Sequence, residues 1–229
     1  MPSATSRMSQ RATFTDLKPF FLTIADVEHE HGGSFDWTTF FGNDNPVELD
    51  IGCGRGLFLV TAGEANPDVN YLGIEIDYGE GRRAATRLQR RQLSNVRVLG
   101  GDVFRGLTEL IQPGSVSAVH VYFPDPWWKR RHRQRRIFNR RFIDLCVTAL
   151  QPGGLLHSWT DVEEYFGVIS SLMEQDPRFE TLPAPVERQP THDMDYHTSF
   201  ERKARKVGKP IYRGRWQLVE NGEQAHGPN

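Results

Sequence analysis

The chain has 229 residues, 38% of them hydrophobic and 25% charged, with a formal net charge of -1. That length and apolar content suit one domain around one core, and with no run of 18 apolar residues a membrane-spanning helix is excluded. Only two cysteines, Cys53 and Cys146, occur, and the polar stretch from Met1 to Thr15 lacks the apolar segment of a secretion signal. A disulfide scaffold is therefore excluded, and a reducing, cytoplasmic setting is expected.

In chain order, residues 1–45 read as an N-terminal extension whose first ten or so residues are expected to be disordered. Val47-Glu48-Leu49-Asp50-Ile51 ends at Gly52, and an apolar helical pattern starts at Leu57, which reads as strand, glycine turn, helix. A strand over 71–76, an arginine-rich helix over 81–93, a strand over 96–99 and a helix near 107–111 follow. Next come a strand over 116–123, a helix over 136–150 and a strand over 154–159. Alternating strands and helices imply an α/β domain, 46–219, with a mostly parallel sheet and helices on both faces. A polar tail, 220–229, is expected to fray. Right-handed crossovers place the strand ends, and with them Gly52 to Gly56, Glu75, Asp102, Asp125 and Asp161, along one edge where a ligand crevice belongs.

Gly52, Gly54 and Gly56 let the backbone approach a ligand closely. The dinucleotide fingerprint fails, because Leu57 or Leu59 stands where its third glycine is required. Glu75, 23 residues after Gly52, ends the second strand, where a carboxylate can accept from both hydroxyls of a ribose. Asp102 ends the next strand and can accept from an adenine amino group. A glycine loop and two such acids without a phosphate site suit an adenosine ligand lacking phosphate, and S-adenosylmethionine fits. Asp50 then faces its ammonium or sulfonium end.

The nearly neutral total hides an asymmetry. Lys129 to Arg141 holds 8 of the 28 Lys and Arg residues, with no acid between Asp125 and Asp144, and Arg202 to Val219 holds 7 more. The rest of the chain has 13 basic residues against all 29 acids. Concentrated positive charge of this kind points to phosphates of a nucleic acid. Asp125, between Pro124 and Pro126 and beside Trp127 and Trp128, reads as a reaction centre next to that polyanion site, with either indole able to stack on an extruded base. His132, His192 and His197 lack the spacing of a metal set, so no metal is expected.

The segments Glu48-Leu49-Asp50-Ile51-Gly52-x-Gly54-x-Gly56, Tyr71-Leu72-Gly73-Ile74-Glu75, Tyr122-Phe123-Pro124-Asp125-Pro126-Trp127-x-Lys129, His132 with Arg135-Arg136, Trp159-Thr160-Asp161 and Thr198-Ser199-Phe200-Glu201 resemble the bacterial tRNA (guanine-N(7)-)-methyltransferases. The glycine loop is generic to methyltransferases, whereas the proline-rich block followed by the basic one is specific. The resemblance implies a single-domain, Rossmann-like class I methyltransferase using S-adenosylmethionine on a guanosine of the tRNA variable loop. It makes Asp50, Gly52, Gly54, Gly56, Glu75, Asp102 and Asp125 cofactor-site residues, with Asp125 also catalytic. Lys129, Asp161, Thr198, Ser199, Phe200 and Glu201 become substrate positions, and Arg131, His132, Arg133, Gln134, Arg135 and Arg136 an RNA-contacting segment. Asp50 stands where the family usually has Glu, and Ser199 where it usually has Lys. A related enzyme acting on another substrate and a tRNA-binding chaperone without catalysis are the alternatives, and monomer and homodimer both remain open.

Overall fold

The computed structural model describes residues 16–185, 196 and 198–219. Eight strands form one sheet: β1 (Phe21–Thr23), β2 (Val47–Ile51), β3 (Asn70–Glu75), β4 (Val96–Gly100), β5 (Val116–Tyr122), β6 (Leu150–Thr160), β7 (Phe179–Leu182) and β8 (Tyr212–Leu218). Their spatial order is β1-β4-β3-β2-β5-β6-β8-β7, parallel throughout except for β8, which runs antiparallel to both neighbours. The chain moves outward from β2 in one direction through β3 and β4 and in the other through β5 and β6. The ends of β2 and β5 therefore flank the point where a doubly wound sheet opens a crevice.

Helices cover both faces. On one, α3 (Leu57–Ala65) and α4 (Tyr78–Arg91) bury Phe58, Leu59, Ala84 and Leu88 against Tyr71, Val96 and Val98. On the other, α6 (Arg140–Ala149) and α7 (Glu163–Glu174) bury Phe142, Ile143, Tyr165 and Ile169 against Leu49, Val119, Leu156 and Trp216. A leucine taken fully out of water contributes about 1.5–3 kcal/mol, so these two layers carry most of the fold.

Several boundaries differ from the sequence reading. The stretch before residue 46, expected as an extension, contributes β1 to the sheet and adds α1 (Ile24–Glu30) and α2 (Trp37–Phe41); Val27 of α1, Phe41 of α2 and Phe35 between them enter the core. Buried Arg97 of β4 lies with its guanidinium 5.4 Å from the Phe20 ring and 5.6 Å from that of Phe41, so cation–π contacts tie this segment down. Helix α4 starts three residues early because Asp77 caps the amides of Gly79 and Glu80, and stops at left-handed Gln92. The helix expected near 107–111 is a single turn, α5 (Val103–Arg105), widened into a π-helical turn over Gly106–Leu110. The helix expected from 136 begins only at Arg140, where Asn139 caps Phe142; the basic run before it is a 3-10 helix, Arg130–Arg135. Beyond residue 160, α7, β7, α8 (Ser199–Lys206) and β8 complete the sheet and its cover.

Candidate active site at the carboxyl edge of the sheet

The loop after β2 is tied to β3, where the Gly52 amide donates to the Ile74 carbonyl at 2.8 Å, and closes on itself, where the Gly56 amide donates to the Cys53 carbonyl at 2.8 Å. Gly52, Gly54 and Gly56 adopt φ of 73°, 52° and 69°, which residues with a Cβ rarely enter. Their surroundings differ. A Cβ at Gly56 would lie 2.8 Å from that of Ala84, whereas one at Gly52 or Gly54 would meet nothing within 4 Å. The third glycine thus allows helix packing, and the first two leave space at the crevice for a ligand to touch backbone.

Glu75, almost buried at the end of β3, accepts from the Gly54 amide through Oε2 and from the Asp77 amide through Oε1, each at 2.8 Å. Both oxygens are held by the loops they border, and each keeps a lone pair for a diol. Asp50 on β2 is 3% exposed, and burial, reinforced by the Glu75 charge, pushes its pKa up to about 8. Desolvation, and after it the Asp50 and Glu75 charges, push the half-buried Cys53 thiol up. Asp102 sits at the end of β4 and caps α5 through Oδ1, which accepts from the Arg105 amide at 3.0 Å. A buried acid, a pre-oriented acid and open glycine backbone thus meet at the carboxyl edge of the sheet.

Asp125 is exposed in the loop after β5, between Phe123 with φ 52° and Trp127 with φ 41°. Two side-chain-bearing residues in the left-handed region, one on each side of the acid, mark a backbone held against its preference. Arg136 supplies part of the restraint: its Nε donates to the Pro126 carbonyl at 2.7 Å, while its guanidinium lies 4.8 Å from the Tyr165 ring. Arg135 lies 5.1 Å over the Trp127 ring, whose other neighbour is His132 in an edge contact at 5.7 Å. Trp127 is thereby engaged within the loop, whereas Trp128 is 52% exposed. Lys129, Arg131, Arg133 and Gln134 are exposed along the same loop.

Helix α8 reaches this loop. Its cap, Thr198, accepts from the Glu201 amide at 3.0 Å, and Phe200, 57% exposed, stacks on Phe123 at 6.1 Å. Buried Glu201 accepts from Arg205 at 2.9 Å and, together with Asp50, contributes to the charge around Tyr122, whose hydroxyl is held far from ionisation chiefly by burial. Asp161, just past β6, accepts from Lys209 Nζ at 3.3 Å. Ser199 opens the helix.

Sequence reasoning missed a polar chain beneath the site. His120 Nε2 lies 2.7 Å from Glu48 Oε2, His120 Nδ1 lies 2.9 Å from the Tyr122 hydroxyl, and the ring stacks on His157 at 4.9 Å. The alternation along β5, which puts His120 and Tyr122 on one face, was the available signal. Among the described residues no group of three or more His, Cys, Asp and Glu side chains is arranged to hold a metal ion; His192 and His197 lie outside the described residues.

Residues 44–214 match the family model described as "Putative methyltransferase". The tRNA (guanine-N(7)-)-methyltransferase of Rhodopirellula baltica is 41% identical over 219 residues, covering 93% of this chain and 79% of that protein. The protein of the same name from Geobacter metallireducens is 36% identical over 197 residues, 85% of this chain and 90% of its own length. Among solved structures, a SAM-dependent methyltransferase from Aquifex aeolicus superposes with a TM-score of 0.54 at 12% identity, over 79% of this chain and 87% of that one. A SAM-dependent O-methyltransferase from Thermotoga maritima gives 0.53 at 15% identity, over 88% and 72%. These last two likenesses concern the fold alone.

Proposed function

Because the chain belongs to the tRNA (guanine-N(7)-)-methyltransferase family, we propose that it transfers a methyl group from S-adenosylmethionine to N7 of a guanosine in the tRNA variable loop. The observation that carries this reading is the Asp125 turn. It is held by Arg136, carries exposed cations, and leaves the strand hydrogen-bonded to the one that bears the glycine loop. S-adenosylmethionine supplies a methyl group on a positively charged sulfur. Gly52 and Gly54 offer it backbone, Glu75 its ribose acceptor, Asp102 an acceptor for the adenine amino group, and Asp50 a carboxyl that ionises against its positive end.

Guanine N7 has a free lone pair and no proton at neutral pH, so the protein need not provide a general base. Its work is positioning, which can account for roughly 7–11 kcal/mol of the barrier, and compensation of the positive charge that arrives on the purine. Asp125 accepts from the guanine N–H and amino donors and offsets that charge once the base covers it. Trp128 offers an open indole face for stacking. Lys129, Arg131 and Arg133 hold phosphates. Asp161, Thr198, Ser199, Phe200 and Glu201 belong to the guanosine side of the pocket, and His132, Gln134 and Arg135 shape the loop that receives the RNA. Two free cysteines support a cytoplasmic setting, and among the described residues no helix is long and apolar enough to cross a membrane. Incubation with unmodified tRNA and labelled S-adenosylmethionine, followed by nucleoside analysis, tests the reading. Label in 7-methylguanosine is expected, and label in any other nucleoside would refute it.

A further inference from the structure

The basic residues outside the two segments already discussed are not scattered. After Glu80 the next acid is Asp102, and the intervening stretch carries Arg82, Arg83, Arg87, Arg90, Arg91 and Arg97. Helix α4 sorts most of them to its outer side: Gly81, Ala84, Ala85 and Leu88 face the core, while Arg83, Arg87, Arg90 and Arg91 are exposed. Arg83, Arg87 and Arg90, at i, i+4 and i+7, share one face, and with Thr86 and Arg55 they line a recess of about 420 Å³.

Arg55 projects from the glycine loop itself. Its own backbone carbonyl accepts from Arg87 at 3.0 Å, so the recess begins at the rim of the cofactor crevice and runs down α4. Its cations outnumber its acids. Glu80 accepts from Arg55 at 2.6 Å and also pairs with Arg83. Arg87 and Arg90 have no carboxylate partner among the described residues. Like charges three and four apart on a helix repel, each pair costing a few tenths of a kcal/mol, and an ordinary solvated helix face relieves this with interspersed acids. Here Glu80 stands at the start of the helix, and no acid lies between Arg83 and Arg90.

We infer that this face of α4 is a second RNA-binding surface, which takes backbone phosphates of the substrate tRNA away from the guanosine being methylated. The inference rests on the reading of the protein as a tRNA methyltransferase. The partner is identified by charge complementarity: guanidinium groups at one-turn spacing suit repeated phosphates, which they can bind through paired N–H donors. The placement suits a large substrate. RNA whose guanosine sits at the loop after β5 need only pass the adjacent loop after β2, where Arg55 stands, to reach α4. Contacts of this kind position the RNA without reading its bases.

The test compares the full-length wild type with the triple variant Arg83→Gln, Arg87→Gln, Arg90→Gln, using an unmodified tRNA transcript. Three lost phosphate contacts should flatten the logarithmic salt dependence of tRNA binding by roughly 2–3, which corresponds to about a hundredfold weaker binding near 0.1 M salt. The triple Lys variant should recover most of the affinity, since the charges return. Calorimetry with S-adenosylmethionine checks that the glycine loop survives, its affinity staying within about twofold. If wild-type protein methylates tRNA but the Gln variant binds it with unchanged affinity and salt slope, the inference is overturned while the function stands, and the recess serves an acidic protein or nothing. If the Lys variant is as weak as the Gln variant, the effect is structural and the inference is likewise overturned. Failure of the wild type to methylate tRNA would remove the functional reading and this inference with it.

Discussion

Asp50 makes a quantitative demand on cofactor binding. Its carboxyl is 3% exposed and titrates near 8, raised by burial first and then by Glu75. At pH 6 the free protein therefore holds it neutral, and ionising it against a cationic ligand costs about 1.4 kcal/mol for each unit between the ambient pH and 8, or roughly 2.7 kcal/mol. The cost falls as pH rises, so affinity for S-adenosylmethionine should increase about tenfold from pH 6 to pH 7, with close to one proton released per ligand bound. An α-amino group titrates near 7.7–8.0, so measurements belong below about pH 7. Calorimetry in two buffers of different ionisation enthalpy measures both quantities. Asp50→Asn should bind more weakly at pH 7 but with a flat profile. Stability has the opposite sign. Between the unfolded value of 3.8 and the folded value near 8 the unfolded chain binds fewer protons, so this group lowers the stability of the ligand-free protein as pH rises through that window. Asp50→Asn should remove that part of the decline. A wild-type affinity that changes less than about twofold from pH 6 to 7, with no proton released, would refute the assignment of Asp50 to the ligand's positive end.

Asp125→Ala should keep the fold, judged by circular dichroism, and lose about a hundredfold or more in turnover, as expected for a charge-stabilising group; a variant above about a tenth of wild-type turnover would remove Asp125 from the mechanism. Glu75→Ala deletes the acceptor of the Gly54 and Asp77 amides together with the proposed ribose acceptor, so calorimetry should show weakened S-adenosylmethionine binding, and unchanged affinity would exclude the ribose role. The loop arginines should separate by function. Arg131→Gln with Arg133→Gln should flatten the salt dependence of tRNA binding by roughly 0.7–0.9 per lost contact. Arg136→Gln, which releases the Pro126 carbonyl, should instead lower kcat with little change in salt slope, and the reverse pattern would return Arg136 to phosphate binding.

What the sequence determined by itself is the part governed by short-range rules. Glycines at alternate positions after Val47–Ile51 force a turn, apolar periodicity from Leu57 continues as a helix, and β3 to β6 follow from runs of strand-forming residues with acids at their ends. These signals lie within a few residues of one another, so a linear reading captures them. The arginine-rich pattern of α4 was also legible, but not the face it presents, because that depends on which side packs against β4 and β1. The N-terminal aromatics read as an extension because nothing nearby shows that Phe20 and Phe41 close on Arg97, far along the chain in β4. The same holds for the chemistry. That Asp50 titrates near 8 depends on its burial beside Glu75, and that Arg136 holds the Asp125 turn depends on a 3-10 helix folding back over ten residues. Residue type was readable in line. Burial, pKa and the division of arginines between those bonded within the protein and those left exposed were decided only when the tertiary structure brought groups distant in the chain together.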